Sequence, residues 1–324
     1  MSMSQSHRLK NGESLECSII DDPADPHVPE LRALLGHKGD IWQYHIDEWV
    51  GVRVKRLETR FYVGFVGDEM VGNIMTVEHK GVGIMGHVFT PPQHRRKGIC
   101  DALMVFHMDD FRSREGTVLY LNTGYESPPW HIYRRHGYQP LMARPGSMFW
   151  APGEWDPRQL YEDVGRSQAG KLEWHHWPSM NIFTQMPFEQ TVRNLTYGLH
   201  AVCPSEGQFL VIKRDADSER SNVQARVLET RDGHIAGLAT LAPERRWGGA
   251  AATYVFDLFV HPEARQPGGE LMDEFSWPDA HVLAYAAETD QTTIDVLAEH
   301  GFHPHSHIER FFTGGVGLVV MDRD

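Results

Sequence analysis

Between residues 61 and 90 apolar and polar positions alternate along three stretches, 61–67, 70–79 and 82–90. That is the period of strands with one face buried, and Gly67-Asp68 supplies the first turn of the meander. After Pro91-Pro92 the period changes. Ile99, Leu103, Phe106 and Phe111 recur at helical spacing and predict a helix over 98–114. The same reading gives a strand at 16–20, helices near 27–35 and 40–50, a strand at 117–122, a helix at 128–136 and strands to about 150. Ala151 to Pro157 is a linker by its Pro and Gly content. Beyond it the pattern predicts helices near 157–165 and 187–202, then strands at 208–214, 224–231, 234–242 and 251–260. A short helix after Gly268, a strand at 281–286, a helix at 290–300 and a final pair of strands complete the chain.

The chain also resembles itself. Gly67 to Gly72 faces Asp232 to Gly237, Thr90-Pro91-Pro92-x-x-Arg95 faces Val260-His261-Pro262-x-x-Arg265, and His136-Gly137-Tyr138-x-Pro140 faces His300-Gly301-Phe302-x-Pro304. Order is kept at a nearly constant offset, as a duplicated domain predicts. The expected organisation is a disordered polar leader at 1–14, a first domain at 15–150, a linker with helices at 151–204 and a second domain at 205–324.

The sharpest chemical feature is Gln93-His94-Arg95-Arg96-Lys97-Gly98-Ile99-Cys100, set between a predicted strand and a predicted helix. The first N–H groups of a helix lack intrahelical acceptors, and the helix dipole makes that end positive. Gly98 permits close backbone approach, and three cations raise the local potential, so the turn suits a pyrophosphate. Arg95-x-x-Gly98-x-Cys100 resembles the coenzyme A loop of the GNAT superfamily of N-acetyltransferases, with Cys100 where Gly or Ala is usual. Tyr133-Arg-Arg-His-Gly137-Tyr138 resembles that family's later signature, and Phe61 to Thr76 its first hairpin.

The resemblance implies an α/β (α+β) fold of two tandem GNAT-like domains, each a mixed, mostly antiparallel twisted sheet flanked by helices. It implies acetyl-CoA as co-substrate, held by Arg95, Arg96, Lys97, Gly98, Ile99 and Cys100, with the pantetheine arm along Val88, Phe89 and Thr90 where that strand splays from its neighbour. Tyr133 is the expected general acid for the departing thiolate, and direct transfer in a ternary complex leaves Cys100 without a nucleophilic role. Candidates for the base are His87, Glu126 and Glu78, with solvent as the alternative. Acceptor contacts are expected from Trp42, His45 and Trp49 on one side and Tyr125 and Trp130 on the other, with Asp40, Asp47 and Glu48 suited to holding a cation. The acceptor is a primary amine of a small molecule or peptide. A non-catalytic acyl-CoA-binding sensor or assembly module, or a transferase using a longer acyl donor, is the alternative.

The second half carries Arg265-Gln-Pro267-Gly-Gly269-Glu270 at the matching place. Pro267 removes a donor, Glu270 brings a like charge toward phosphates, and Leu297 stands opposite Tyr133. That half is read as degenerate, structural or forming part of the acceptor pocket.

Composition narrows the picture. A net charge of −13 argues against nucleic acid as a partner. No apolar run approaches the ~20 residues that span a bilayer, so no membrane role is expected. The three cysteines are odd in number and widely spaced, which points away from a disulfide framework and to a cytoplasmic location. His303-x-His305-x-His307 and His175-His176 lack a completing Cys or carboxylate, so no metal is expected. Oligomeric state is left as monomer or homodimer.

Overall fold

The computed structural model describes residues 4–245 and 253–323. The chain divides into two compact units, Met1–Trp155 and Asp156–Asp324.

In the first unit the elements run β1 (Gln5–Arg8), β2 (Ser14–Ile20), α1 (Val28–Leu34), α2 (Asp40–Val50), β3 (Glu58–Val66), β4 (Glu69–His79), β5 (Val82–Phe89), α3 (Ile99–Ser113), β6 (Val118–Asn122), α4 (Pro128–Arg135), β7 (Gln139–Leu141) and β8 (Arg144–Trp150). They build one sheet in the order β1-β2-β3-β4-β5-β6-β8-β7. Every neighbouring pair is antiparallel except β5 and β6. The apolar stripe of α3, including Ile99, Leu103, Phe106 and Phe111, is buried against β2, β3 and β4. Each such side chain removed from water is worth about 1.5–3 kcal/mol. Helix and sheet meet at Gly72, where a Cβ would stand 2.7 Å from Ile99 Cγ2 and 3.0 Å from Leu103 Cδ1.

The expected leader is corrected beyond residues 1–3, which lie outside the described residues. Gln5 to Arg8 pair with Cys17 to Ser14 as the edge of the sheet, and Leu9 is buried. An edge strand with one solvated face is polar by composition, so polarity concealed it.

In the second unit the elements are β9 (Gln168–Lys171), α5 (Trp177–Phe183), β10 (Val192–Asn194), β11 (Leu199–His200), α6 (Glu206–Asp217), β12 (Gln224–Glu229), β13 (Ile235–Pro243), β14 (Thr253–Val260), α7 (Arg265–Asp273), β15 (His281–Ala287), α8 (Gln291–Glu299), β16 (His303–Ile308) and β17 (Leu318–Arg323). Residues 251–252 of the expected strand 251–260 lie outside the described residues. The sheet order is β16-β17-β15-β14-β13-β12-β9, and only β14 and β15 are parallel. Matched strand for strand, this is the order of β7-β8-β6-β5-β4-β3-β2 in the first unit.

Three expectations fail here. The stretch 151–204 is not a linker throughout, because β9 is a strand of the second sheet. Residues 187–202 form the small β10–β11 pair instead of a helix. Residues 208–214 belong to α6, not to a strand. Phe209, Leu210 and Ile212 read as a β-type run, yet Phe209, Leu210, Ile212 and Lys213 fall on one buried helical face. Lys213 also bonds Asp217 one turn on at 2.6 Å.

Candidate active site

Between β5 and α3 the chain makes one 3₁₀ turn at Pro92–His94 and then enters left-handed backbone at Arg96 (φ 64°) and Gly98 (φ 98°). Glycine adopts this conformation without the steric penalty a Cβ brings, so Gly98 sets the entry into α3. The first helical bond runs from the Ala102 N–H to the Gly98 carbonyl at 3.0 Å, which leaves the preceding N–H groups without helical acceptors. These groups border a cavity of about 790 Å³. Its walls join the cations Lys10, Arg95, Arg96 and Arg135 to Val88, Phe89 and Thr90 of the β5 end, and to Tyr133 of α4.

Gly98, Ile99 and Cys100 line the cavity as expected residues of the turn. Arg95 Nε donates to the Thr90 carbonyl at 3.0 Å, holding the turn against the strand end. Lys97 is not among the lining residues; its Nζ pairs with Glu13 at 3.1 Å. The sequence reading missed Lys10 and Arg135. Lys10 sat in the supposed leader, and its side chain packs 3.7 Å from where a Gly98 Cβ would stand. Arg135 and His136 share the carboxylate of Asp101, at 3.2 and 3.1 Å, so that acid at the cavity wall is already paired. Burial pushes the Cys100 thiol up to about 12, which keeps it protonated and a poor nucleophile.

The strand end is irregular in a useful way. β5 and β6 pair only from Val82↔Val118 to Ile84↔Tyr120, after which the two strands part from each other. On the other side, the register with β4 jumps between Asn73↔Phe89 and Met75↔Gly86, so His87 and Val88 together oppose Ile74. This bulge puts His87 at φ 49°, a left-handed conformation that costs a non-glycine residue about 1–3 kcal/mol. Asn73 Nδ2 holds the His87 carbonyl at 3.0 Å.

The candidates for acid and base fare differently. Tyr133 lines the cavity and is 7% exposed, its ring 6.0 Å from that of Tyr138. His87 is buried, and desolvation, then the nearby charges of His45, Lys38 and His37, hold its ring well below the usual histidine range. A neutral, hard-to-protonate imidazole is a weak proton acceptor, which opposes the role of base. Glu78 is committed elsewhere. Arg114 donates to it and to Asp110 (2.8 Å), while the Tyr62 hydroxyl donates to Asp110 at 2.6 Å. Glu126 is exposed in the loop before α4, at φ 55°, and is not among the residues lining the cavity.

Of the expected acceptor residues, Trp42 is half-buried with its ring edge-on to His87 at 5.4 Å. Trp49 is a core residue against Phe61, and His45 is fully buried beside the Thr59 hydroxyl at 3.4 Å, so neither presents an open contact surface. Tyr125 is exposed and meets Trp130 edge-on at 5.5 Å, with Trp130 Nε1 bonded to the Pro145 carbonyl. Of the acids expected to hold a cation, Asp47 pairs with Arg32 at 2.5 Å and Glu48 with Arg53 at 2.8 Å, while Asp40 is exposed at the start of α2.

In the second unit the corresponding turn is already helix. The Gly268 N–H donates to the Ala264 carbonyl at 2.8 Å, and Arg265 pairs with Asp295 at 2.9 Å and Glu299 at 2.8 Å. α7 has nine residues where α3 has fifteen. His175 and His176 converge on Glu229, at 3.5 and 3.2 Å. His176 Nδ1 accepts the Glu173 N–H at 2.9 Å, which puts the ring proton on Nε2, facing Glu229. Glu229 is thus the carboxylate that the sequence reading did not find for this pair, and the three residues offer ligand atoms within 4.8 Å of one another. In β16, His305 pairs with Asp322 at 3.2 Å and His307 with Glu288 at 2.8 Å, so the three-histidine stretch does not converge on one point. Among the described residues no helix is long and apolar enough to cross a membrane.

Residues 58–140 match the family model described as "Acetyltransferase (GNAT) domain". No sequence among curated proteins matches the chain. Similar solved structures include a GNAT superfamily phosphinothricin acetyltransferase from Sinorhizobium meliloti in complex with AcCoA, at 16% identity and TM-score 0.39, covering 48% of this chain and 87% of that one. An acetyltransferase of the GNAT family from Streptococcus pneumoniae has 15% identity and TM-score 0.38, over 48% of this chain and 96% of that one. A ribosomal-protein-alanine N-acetyltransferase from Brucella melitensis has 16% identity and TM-score 0.34, over 45% and 90%. The segment from β3 to β7, with its left-handed turn and splayed strand, is therefore an acetyltransferase (GNAT) domain.

Proposed function

We propose that the first unit transfers an acetyl group from acetyl-CoA to a primary amine of a small molecule or peptide, by direct attack within a ternary complex. One observation carries this reading: the cavity that begins at the unpaired N–H groups of α3 and four cations also reaches Tyr133 and the end of β5 that has parted from β6. The pyrophosphate binds at the helix N-terminus, where dipole and cations act together. The pantetheine amides bond to the β5 backbone near Val88 and Thr90. A backbone N–H of that strand end polarises the thioester carbonyl, and oxyanion stabilisation of this kind is worth about 3–4 kcal/mol per donor. The amine attacks the carbonyl carbon, the C–S bond breaks, the Tyr133 hydroxyl gives its proton to the leaving thiolate, and the attacking nitrogen loses its extra proton to solvent, from which the Tyr133 phenolate is reprotonated. The ammonium form of the acceptor loses its proton to solvent before attack, because His87 is a weak base and Glu78 is paired. The second unit is proposed as a degenerate copy with a structural role, its anion-binding turn closed by helix and by the pairs of Arg265.

Thermal unfolding with acetyl-CoA, free coenzyme A and longer acyl-CoA species, together with thiol release over a panel of amines, tests this. Stabilisation by acetyl-CoA that Gly98→Glu and Arg96→Ala both weaken, with amine-dependent thiol release, is expected. Stabilisation without turnover on any amine would make the unit a binding module, and no stabilisation would remove the cofactor site itself.

A further inference from the structure

The connection between α1 and α2 brings an unbalanced set of polar groups to the bulged end of β5. Lys38 is half-buried there, and its Nζ has no hydrogen-bond or ion-pair partner among the described residues. Burial alone lowers its pKa, and no carboxylate offsets the loss of hydration. His37 packs its ring 4.0 Å from that of Phe89, a wall of the cavity, while its Nδ1 lies 3.2 Å from the Leu34 carbonyl. One residue from Val88, His87 is 7% exposed, and neither ring nitrogen has a hydrogen-bond partner. An imidazole always carries at least one N–H, so a buried donor stands unmet, which is unfavourable. The Oδ1 of fully buried Asn73, beside the His87 carbonyl, is an unmet acceptor in the same place.

These observations point to a ligand with two ends. An ammonium or amine has donors for Asn73 Oδ1, and an oxyanion has acceptors for the His87 N–H and charge for Lys38. Of the carboxylates of α2, Asp47 and Glu48 are spent on Arg32 and Arg53.

We infer that the acceptor of the first unit is a free amino acid, its amine held near Asn73 at the strand bulge and its carboxylate recognised by Lys38 and His87. This rests on the N-acetyltransferase reading. His87 is thereby a positioning residue for the acceptor and takes no proton from it. Lys38 sets the preference for an acid beside the amine.

The test uses the full chain and matched pairs of acceptors: alanine against ethylamine, phenylalanine against phenethylamine, methionine against 3-(methylthio)propylamine. Thiol release from acetyl-CoA is measured for each, with acetyl-CoA stabilisation recorded alongside. The expected result is at least a tenfold higher kcat/KM for one or more amino acids than for the matched amine. Lys38→Met should erase that ratio, chiefly through KM, with acetyl-CoA stabilisation unchanged, and Lys38→Arg should restore most of it. His87→Asn should raise KM for the amino acid without altering the pH dependence of kcat. Equal use of both members of each pair overturns the inference, as does a ratio that survives Lys38→Met. Acetyl-CoA stabilisation with turnover of amines but of no amino acid overturns it while sparing the transferase reading. Absence of acetyl-CoA stabilisation strikes the transferase reading itself.

Discussion

The Lys10 N–H donates to the Lys97 carbonyl at 3.0 Å, so the turn between β1 and β2 is tied to the turn that opens α3. Glu13 adds a second tie to Lys97 through its carboxylate. The edge hairpin thus supports the anion-binding loop and contributes a cation to its cavity. Lys10→Ala should raise the Kd for acetyl-CoA about three- to tenfold, the range for one partly screened charge near a phosphate, with a smaller effect at high salt. Calorimetric titration at two ionic strengths checks this. An unchanged Kd at low salt would mean that the hairpin is only a spectator.

Tyr133→Phe should lower kcat by about 10²-fold while acetyl-CoA affinity and unfolding temperature stay near wild type, since only the hydroxyl is lost. Glu78→Gln should do the reverse. Its carboxylate belongs to the Arg114, Asp110 and Tyr62 cluster, so stability falls and turnover per folded molecule persists. Breaking such a buried pair from one side costs about 3–5 kcal/mol. Urea unfolding beside steady-state kinetics separates the two. A Glu78→Gln enzyme that is stable but inactive would restore this carboxylate as the base.

Acid should destabilise the first unit through its buried histidines. Desolvation brings His45 and His107 down to about 3, from an unfolded value near 6.5. Each folded-state pKa lies below the unfolded one, so their stabilising contribution is complete above about pH 6.5 and is lost as pH falls toward 3. The slope is about 1.4 kcal/mol per pH unit for each ring. Urea midpoints between pH 7 and 5 should fall accordingly. His107→Gln keeps a hydrogen-bonding group opposite the Thr76 hydroxyl, 2.9 Å away, and should flatten the slope by about one ring's share. Midpoints constant over that interval would show both rings accessible to protons in the folded state.

Each chain should bind a single acetyl-CoA. The second unit has spent Arg265 on Asp295 and Glu299, and its Gly268 N–H on a helical bond. Titration should give one site per chain, and Arg265→Ala should leave it intact. A second site of similar affinity would contradict the degenerate role proposed for that unit.

Much of the first unit was legible because its signals are local. The period change at Gly98, the Pro91-Pro92 stop and the alternation from 61 to 90 report elements that bury one face each. The turn residues Gly98, Arg95 and Arg96 were legible for the same reason. Less was visible where partners are distant in sequence. Lys10 reaches the cavity only because β1 pairs with β2, and nothing in a polar leader announces that pairing. Glu78 looked available until Arg114, thirty-six residues on, closed over it. Lys38 was passed over because an unpaired charge is recognised by what does not surround it. In the second unit, β-branched and aromatic residues from 209 to 212 outweighed helical spacing, and tertiary burial decided for α6.

The bulge at His87 and Val88 has a consequence for self-association. Where β5 parts from β6, the sheet has an internal edge of the kind that strands of other molecules extend, the usual route to unwanted pairing. A left-handed residue in that edge breaks the regular repeat of donors and acceptors that a straight strand requires. The kink thus makes that edge a poor template for a straight strand of a neighbouring polypeptide.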